Sequence, residues 1–182
     1  MRKHMKAFVF AAVLALVALP AAQATNHTER ALTPLENQVR HELVMLPFLG
    51  VFDNLSYRVD GSTVTLSGQV YRPSMKKSAD RVVARIEGVT NVVNEIEVLP
   101  TSPHDDRIRM GLLRALYGHP ALDRYALGTQ PAIRIIVNNG DVTLEGVVNR
   151  EMEKNVANLQ ANSVPGVFSV TNNLRVEVPN KG

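Results

Sequence analysis

The sequence predicts an α+β protein built from two tandem αββαβ domains, each a three-stranded sheet with two helices on one face. Three observations carry this. The run Val-Thr-Leu-Ser-Gly at 64–68 returns as Val-Thr-Leu-Glu-Gly at 142–146, and that offset of 78 residues holds without a gap to Val98 and Val176. Within each copy the apolar residues change from helical spacing to a period of two and back. Turn signals, Asp60-Gly61 and Asn139-Gly140, lie between the alternating runs, as hairpins require.

Each unit then reads element by element. Upstream of the strands, Thr33-Pro34-Leu35-Glu36 matches Ser102-Pro103-His104-Asp105 at an offset of 69. The second copy therefore carries 78 − 69 = 9 extra residues between its first helix and first strand. Thr33 is placed to cap the first helix, with Pro34 at its first position and Glu36 closing a capping box. Ser102, Pro103 and Asp105 repeat the device. Leu35, Val39 and Leu43 form the buried stripe of that helix, as do Ile108, Leu112 and Leu116 in the second copy. In the strand that follows the hairpin, Val64, Leu66 and Val70 face in, while Thr63, Thr65, Ser67 and Gln69 face out. Gly68 and Gly146 fall where a side chain would point at a helix, which predicts close packing of helix on sheet.

The helix expected over Pro73–Glu87 has Met75, Ala79, Val82 and Ile86 as core positions. Gly88 and Gly166 follow the second helix of each copy and suit a left-handed terminating position. The last strand turns Val92, Ile96 and Val98 inward, matched by Val170, Leu174 and Val176. Asn94 and Asn172 point inward among them. A buried amide needs partners, so each is expected to bond a neighbouring loop or helix end and not a ligand. The domains are bounded at 33–100 and 101–179, and the linker Leu99–Pro103, with two prolines, is too short to tether them freely.

The N-terminus has the pattern of an export signal. Basic Met1–Lys6 precedes an apolar run that stops at Pro20, and Ala22-Gln23-Ala24 offers small residues for cleavage after Ala24. Residues 1–24 are thus expected to be removed and the mature chain to reside in the periplasm, with no transmembrane span. There is no Cys, so a lipid anchor at the junction, a disulfide, a thiol nucleophile and Cys-bound zinc are all excluded. The full chain has 20 Lys+Arg against 17 Asp+Glu. The leader takes Arg2, Lys3 and Lys6 with it and no acid, which leaves 17 bases against 17 acids. A neutral mature chain gives no electrostatic ground for expecting nucleic acid as a partner.

The pattern V-x-L-x-G-x-V, an Ala-bearing helix, then G-V-x-x-V-x-N-x-[IL]-x-V resembles the BON domain family, and it occurs twice. Two copies behind a secretory signal are similar to the osmotically inducible periplasmic proteins of that family. The resemblance implies envelope maintenance or stress, binding to phospholipid surfaces or envelope proteins, and no catalytic residues.

The residues add little chemistry of their own. The mature histidines, His27, His41, His104 and His119, form no HExxH and no close pair, and His104-Asp105-Asp106 reads as a solvated helix start. No GxSxG, Walker loop, GxGxxG or recognisable triad occurs, so neither an enzyme, a metal nor a cofactor is expected. Two surfaces remain. Lys77, Arg81 and Arg85, four residues apart with Lys76 beside them, make a basic row on the second helix of the first copy. Its counterpart is apolar: positions 74, 78 and 81 become Met152, Val156 and Leu159, a stripe that needs cover from the other domain or from a partner. The connection Met45–Phe52 is also apolar, with Phe48 and Leu49 candidates for shallow insertion into a bilayer. The function expected is a non-enzymatic module that docks on anionic phospholipid surfaces. The alternative is chaperone-like binding of unfolded envelope proteins.

Overall fold

In the computed structural model, which describes residues 32–127 and 131–177, the first repeat opens with α1 (Pro34–Val44). The expected leader lies outside the described residues. Thr33 caps α1 through a reciprocal capping box with Glu36, as the spacing requires. A hairpin follows, β1 (Asn54–Asp60) and β2 (Thr63–Val70), and then α2 (Pro73–Val83), β3 (Asn91–Asn94) and β4 (Glu97–Val98). β2 is central: it pairs antiparallel with β1 and parallel with both β3 and β4. The second repeat copies this order with α3 (Pro103–Tyr117), β5 (Ile133–Asn138), β6 (Asp141–Val148), α4 (Glu151–Asn162), β7 (Ser169–Asn172) and β8 (Arg175–Val176). Each repeat buries its own core. Val39, Leu43, Val64, Leu66, Met75, Ala79 and Ile96 pack in the first; Ile108, Leu112, Leu116, Val142, Leu144, Ala157 and Leu174 pack in the second.

Several local expectations are corrected. The last strand of each repeat is broken in two, because Asn94 and Asn172 spend their side-chain amides on local backbone. Nδ2 donates to the helix carbonyl of Lys76 or Lys154 at 3.0 and 2.9 Å, and Oδ1 accepts from Ile96 or Leu174. α2 ends at Val83 and not Glu87, and it is Val83 that is buried while Val82 is half-buried. The first hairpin turns on Gly61-Ser62, one residue later than Asp60-Gly61, with Gly61 at φ +59°. Gly68 and Gly146 sit inside β2 and β6 at φ +105° and +132°; a Cβ there would strike the carbonyl oxygen of Asn54 or Ala132 on the adjacent strand. The close approach is strand to strand, not helix to sheet.

Asp105 is the largest correction. It is fully buried, and its carboxylate accepts the backbone N–H groups of Asn139 and Gly140, both at 2.9 Å. It therefore ties α3 to the β5–β6 turn instead of closing a capping box on Ser102 or resting in solvent. The nine-residue insertion supplies a short 3-10 turn, Asp123–Ala126, whose Tyr125 hydroxyl reaches buried Glu153 at the start of α4 (2.6 Å). Burial alone would raise the Glu153 carboxyl. The Tyr125 hydroxyl, the Arg124 guanidinium and the backbone amides of Arg150 and Asn149 outweigh it and hold the carboxyl below its ordinary value.

Candidate functional site

α2 is the element on which the cationic row depends. Met75, Ala79 and Val83 on one side seat it on the first core, so residues at the intervening positions are turned outward. Lys76, Lys77, Arg81 and Arg85, with Pro73, Asp80 and Ala84, line an open groove of about 730 Å³ whose far wall is Asn94 and Val98. The groove is floored by apolar surface and rimmed by the four cations. Lys77, Arg81 and Arg85 are exposed, and Lys76 is half-buried. Among the described residues none of the four forms a salt bridge, and Asp80 is the single acid in the lining. At the offset of 78, Lys77, Arg81 and Arg85 are replaced by Asn155, Leu159 and Ser163, so the row belongs to the first repeat alone.

The apolar candidates separate. Phe48 is 77% exposed, with the Arg72 guanidinium 5.6 Å over its ring, so it stands beside the N-terminus of α2. Leu49, by contrast, is half-buried against the first core. On α4, Met152 and Leu159 are 56% and 68% exposed, whereas Val156 packs partly on the second core. The stripe they form is not what joins the repeats.

The join lies on the outer strand of the second sheet. Ile135 donates its N–H to the carbonyl of Val51 at 2.8 Å, and Arg134 reaches the carbonyl of Gly50 at 2.9 Å. Val51 and Phe52 pack on the second core. Buried Arg109 of α3 lies 4.8 Å over the Tyr71 ring while donating to the carbonyl of Val137 at 2.6 Å. Asp53 fixes the contributing segment by accepting the N–H groups of Gly50 and Tyr71. A sequence signal for this contact existed: β5 reads Ile133-Arg134-Ile135-Ile136-Val137, and Ile136 breaks the alternation that β1 keeps with Arg58. Ile136 is buried, beside a small cleft that it lines together with Gln69 and Leu99.

No helix among the described residues is long and apolar enough to cross a membrane. A family described as the BON domain has a profile that matches residues 32–100 and 104–178. Among solved structures, the chain is similar to the C-terminal domain of CdsD, the structural protein of the type III secretion system of Chlamydia trachomatis. That likeness has 12% identity, covers 82% of this chain and 100% of that one, and has a TM-score of 0.29. A second structure of CdsD from the same organism is also 12% identical, covering 80% of this chain and 93% of its own, again with a TM-score of 0.29. At that score neither likeness bears on fold or role. No curated protein matches the chain.

Proposed function

The chain belongs to the BON domain family, with the domain present twice in tandem, and from that premise we propose that it docks on anionic phospholipid surfaces through α2 of its first repeat. The domain implies a membrane- or envelope-associated binding module, and BON domains are generally non-catalytic. The finer reading rests on one observation: a cationic rim, free of salt bridges among the described residues, around an apolar-floored groove. Such a lining suits a headgroup phosphate at the rim with acyl carbon beneath it.

Each cation near an anionic surface contributes about 1 kcal/mol, and salt screens it over about 10 Å. Charge alone therefore gives weak, salt-sensitive docking, and apolar insertion has to add to it. Exposed Phe48 supplies an aromatic ring next to the start of α2; Met152 and Leu159 are the other candidates. The setting we propose is the periplasm, with the expected leader removed after Ala24 and the protein acting in envelope maintenance under osmotic or other stress.

Flotation with phosphatidylglycerol liposomes tests the reading. Replacing Lys77, Arg81 and Arg85 together by Ser should reduce flotation at least tenfold at low salt while leaving melting unchanged, since all three are exposed. Unchanged flotation of that variant overturns the role of α2. If Leu159→Ser with Met152→Ser abolishes flotation instead, α4 is the docking element. If the native protein ignores liposomes of every composition, binding of unfolded envelope proteins takes the place of lipid docking.

A further inference from the structure

The chain holds a single Asn-Gly pair, Asn139-Gly140, at the turn between β5 and β6. An asparagine followed by glycine is open to attack by its own main chain, because no side chain on the glycine shields the approach of its nitrogen to the amide carbon. Asn139 is exposed and Gly140 is buried, and both hold positive φ, +53° and +87°. The Asn139 side-chain amide donates to Oδ1 of Asn138 at 3.1 Å. What sets the pair apart is a clamp. The Gly140 nitrogen, which would attack, donates its N–H to Oδ1 of buried Asp105 at 2.9 Å, and Oδ2 accepts the N–H of Asn139 at 2.9 Å. One carboxylate thus fixes both peptide groups that have to turn before the nitrogen meets Cγ. The first repeat has neither part: Gly61 and Ser62 stand at the offset of 78, and Glu36, the counterpart of Asp105 at the offset of 69, closes on Thr33.

We propose that Asn139-Gly140 is a self-modification site and that Asp105 governs its rate. When the clamp opens, the Gly140 nitrogen gives up its proton and bonds to Cγ of Asn139. The Cγ–Nδ2 bond breaks, and Nδ2 leaves with that proton as ammonia. Water then opens the five-membered imide at one carbonyl or the other, leaving aspartate or isoaspartate at position 139. Water is the one co-reactant. While the clamp is shut, turning the Gly140 nitrogen towards Cγ breaks a charge-assisted bond to a buried group, so the folded chain reacts slowly. Isoaspartate carries one more carbon in the main chain of a turn that has two residues between paired Asn138 and Asp141. Either product adds a carboxylate to a turn already held by Asp105 and followed by Asp141, and like charges so close repel. Modification therefore cuts the tie from α3 to the turn and loosens the second repeat. The first repeat, with its α2 groove, stays as it was.

Mass spectrometry of tryptic digests tests this on the full chain held in mildly alkaline buffer, with the free peptide 134–145 as the unclamped reference. Asn139 should convert about tenfold or more slowly in the native protein than in the peptide, since a buried bond to a charged group is broken to reach the reactive turn. Asp105→Asn, which has one acceptor for two N–H groups, should bring the rate up towards that of the peptide. Asn139→Gly, which keeps positive φ without strain, should show no conversion at the turn. In urea below the unfolding transition, conversion of the native protein should rise in step with hydrogen exchange of the Gly140 amide, a measurement that decides the matter even where Asp105→Asn fails to fold. Converted protein, separated by its added negative charge, should lose exchange protection in β5 and β6 and match unconverted protein in liposome flotation. Conversion of the native protein as fast as the peptide, a folded Asp105→Asn no faster than native, or a rate indifferent to Gly140 exchange overturns the role of Asp105. Converted protein with native protection in β5 and β6 overturns the loosening of the second repeat.

Discussion

Gly146 and Gly68 show how much one absent side chain can decide. Both hold positive φ where the neighbouring strand's carbonyl fills the Cβ position, so an added methyl meets strain and collision together. Gly146→Ala should destabilise the protein by about 3 kcal/mol or more, read as a fall in the denaturant midpoint; a midpoint within error of native would mean the adjacent strand moves freely away from the added methyl. Glu153 acts through charge instead. Its folded-state value lies below the ordinary 4.5, so its stabilisation is present above that value and is lost as pH falls through the depressed one. Thermal melting should therefore drop on acidification below about pH 4.5. Glu153→Gln should be less stable than the native protein at pH 7, and the part of the acid-induced drop that comes from this carboxylate should vanish. An equal drop in both proteins would show that other carboxylates govern acid sensitivity.

The repeats were legible at the level of elements because their signals are local. A capping hydroxyl before the first helix, a proline at its first turn, alternation in the central strand and glycine-bearing turns act within a few residues, and each is present twice. Leu66 and Leu144 are fully buried at the same register position of β2 and β6, in separate cores. An unpaired charge at either place costs several kcal/mol. Leu66→Asp should unfold the first repeat preferentially and Leu144→Asp the second, resolved by hydrogen exchange of the two sheets. Equal loss of protection in both sheets from either change would show that the repeats fold only together. The insertion was less legible. Its length was readable, but nothing in the nine residues announced that Tyr125 would reach Glu153, since that bond joins positions 28 apart.

Across the whole molecule, what matters is how one repeat finishes the other. Ile136 is buried at a position where the first repeat has exposed Arg58. Ile136→Arg should leave each core intact, since Ile136 belongs to neither, while opening the contact beside Gln69 and Leu99. The expected outcome is a single melting transition split into two, with the second repeat melting earlier by about 4–8 °C for each kcal/mol lost. One unsplit transition at the native temperature would mean the repeats are held together elsewhere. The same asymmetry organises the surfaces, since cations line α2 but not α4.

The order αββαβ, its duplication, the core stripes and the basic row on α2 follow from the sequence by itself, because periodicity of 2 or 3.6 residues and turn chemistry are properties of neighbouring positions. Only the tertiary structure decided where buried polar groups found their partners. Asp105 went to a turn 34 residues away, Asn94 and Asn172 went to helix carbonyls 18 residues away, and Arg109 went over the Tyr71 ring. Burial obliges each such group to be satisfied, but local sequence does not say by which distant backbone. The groove at α2 is likewise a product of packing: four cations on a helix become a lined site when Asn94 and Val98 are brought up beside them.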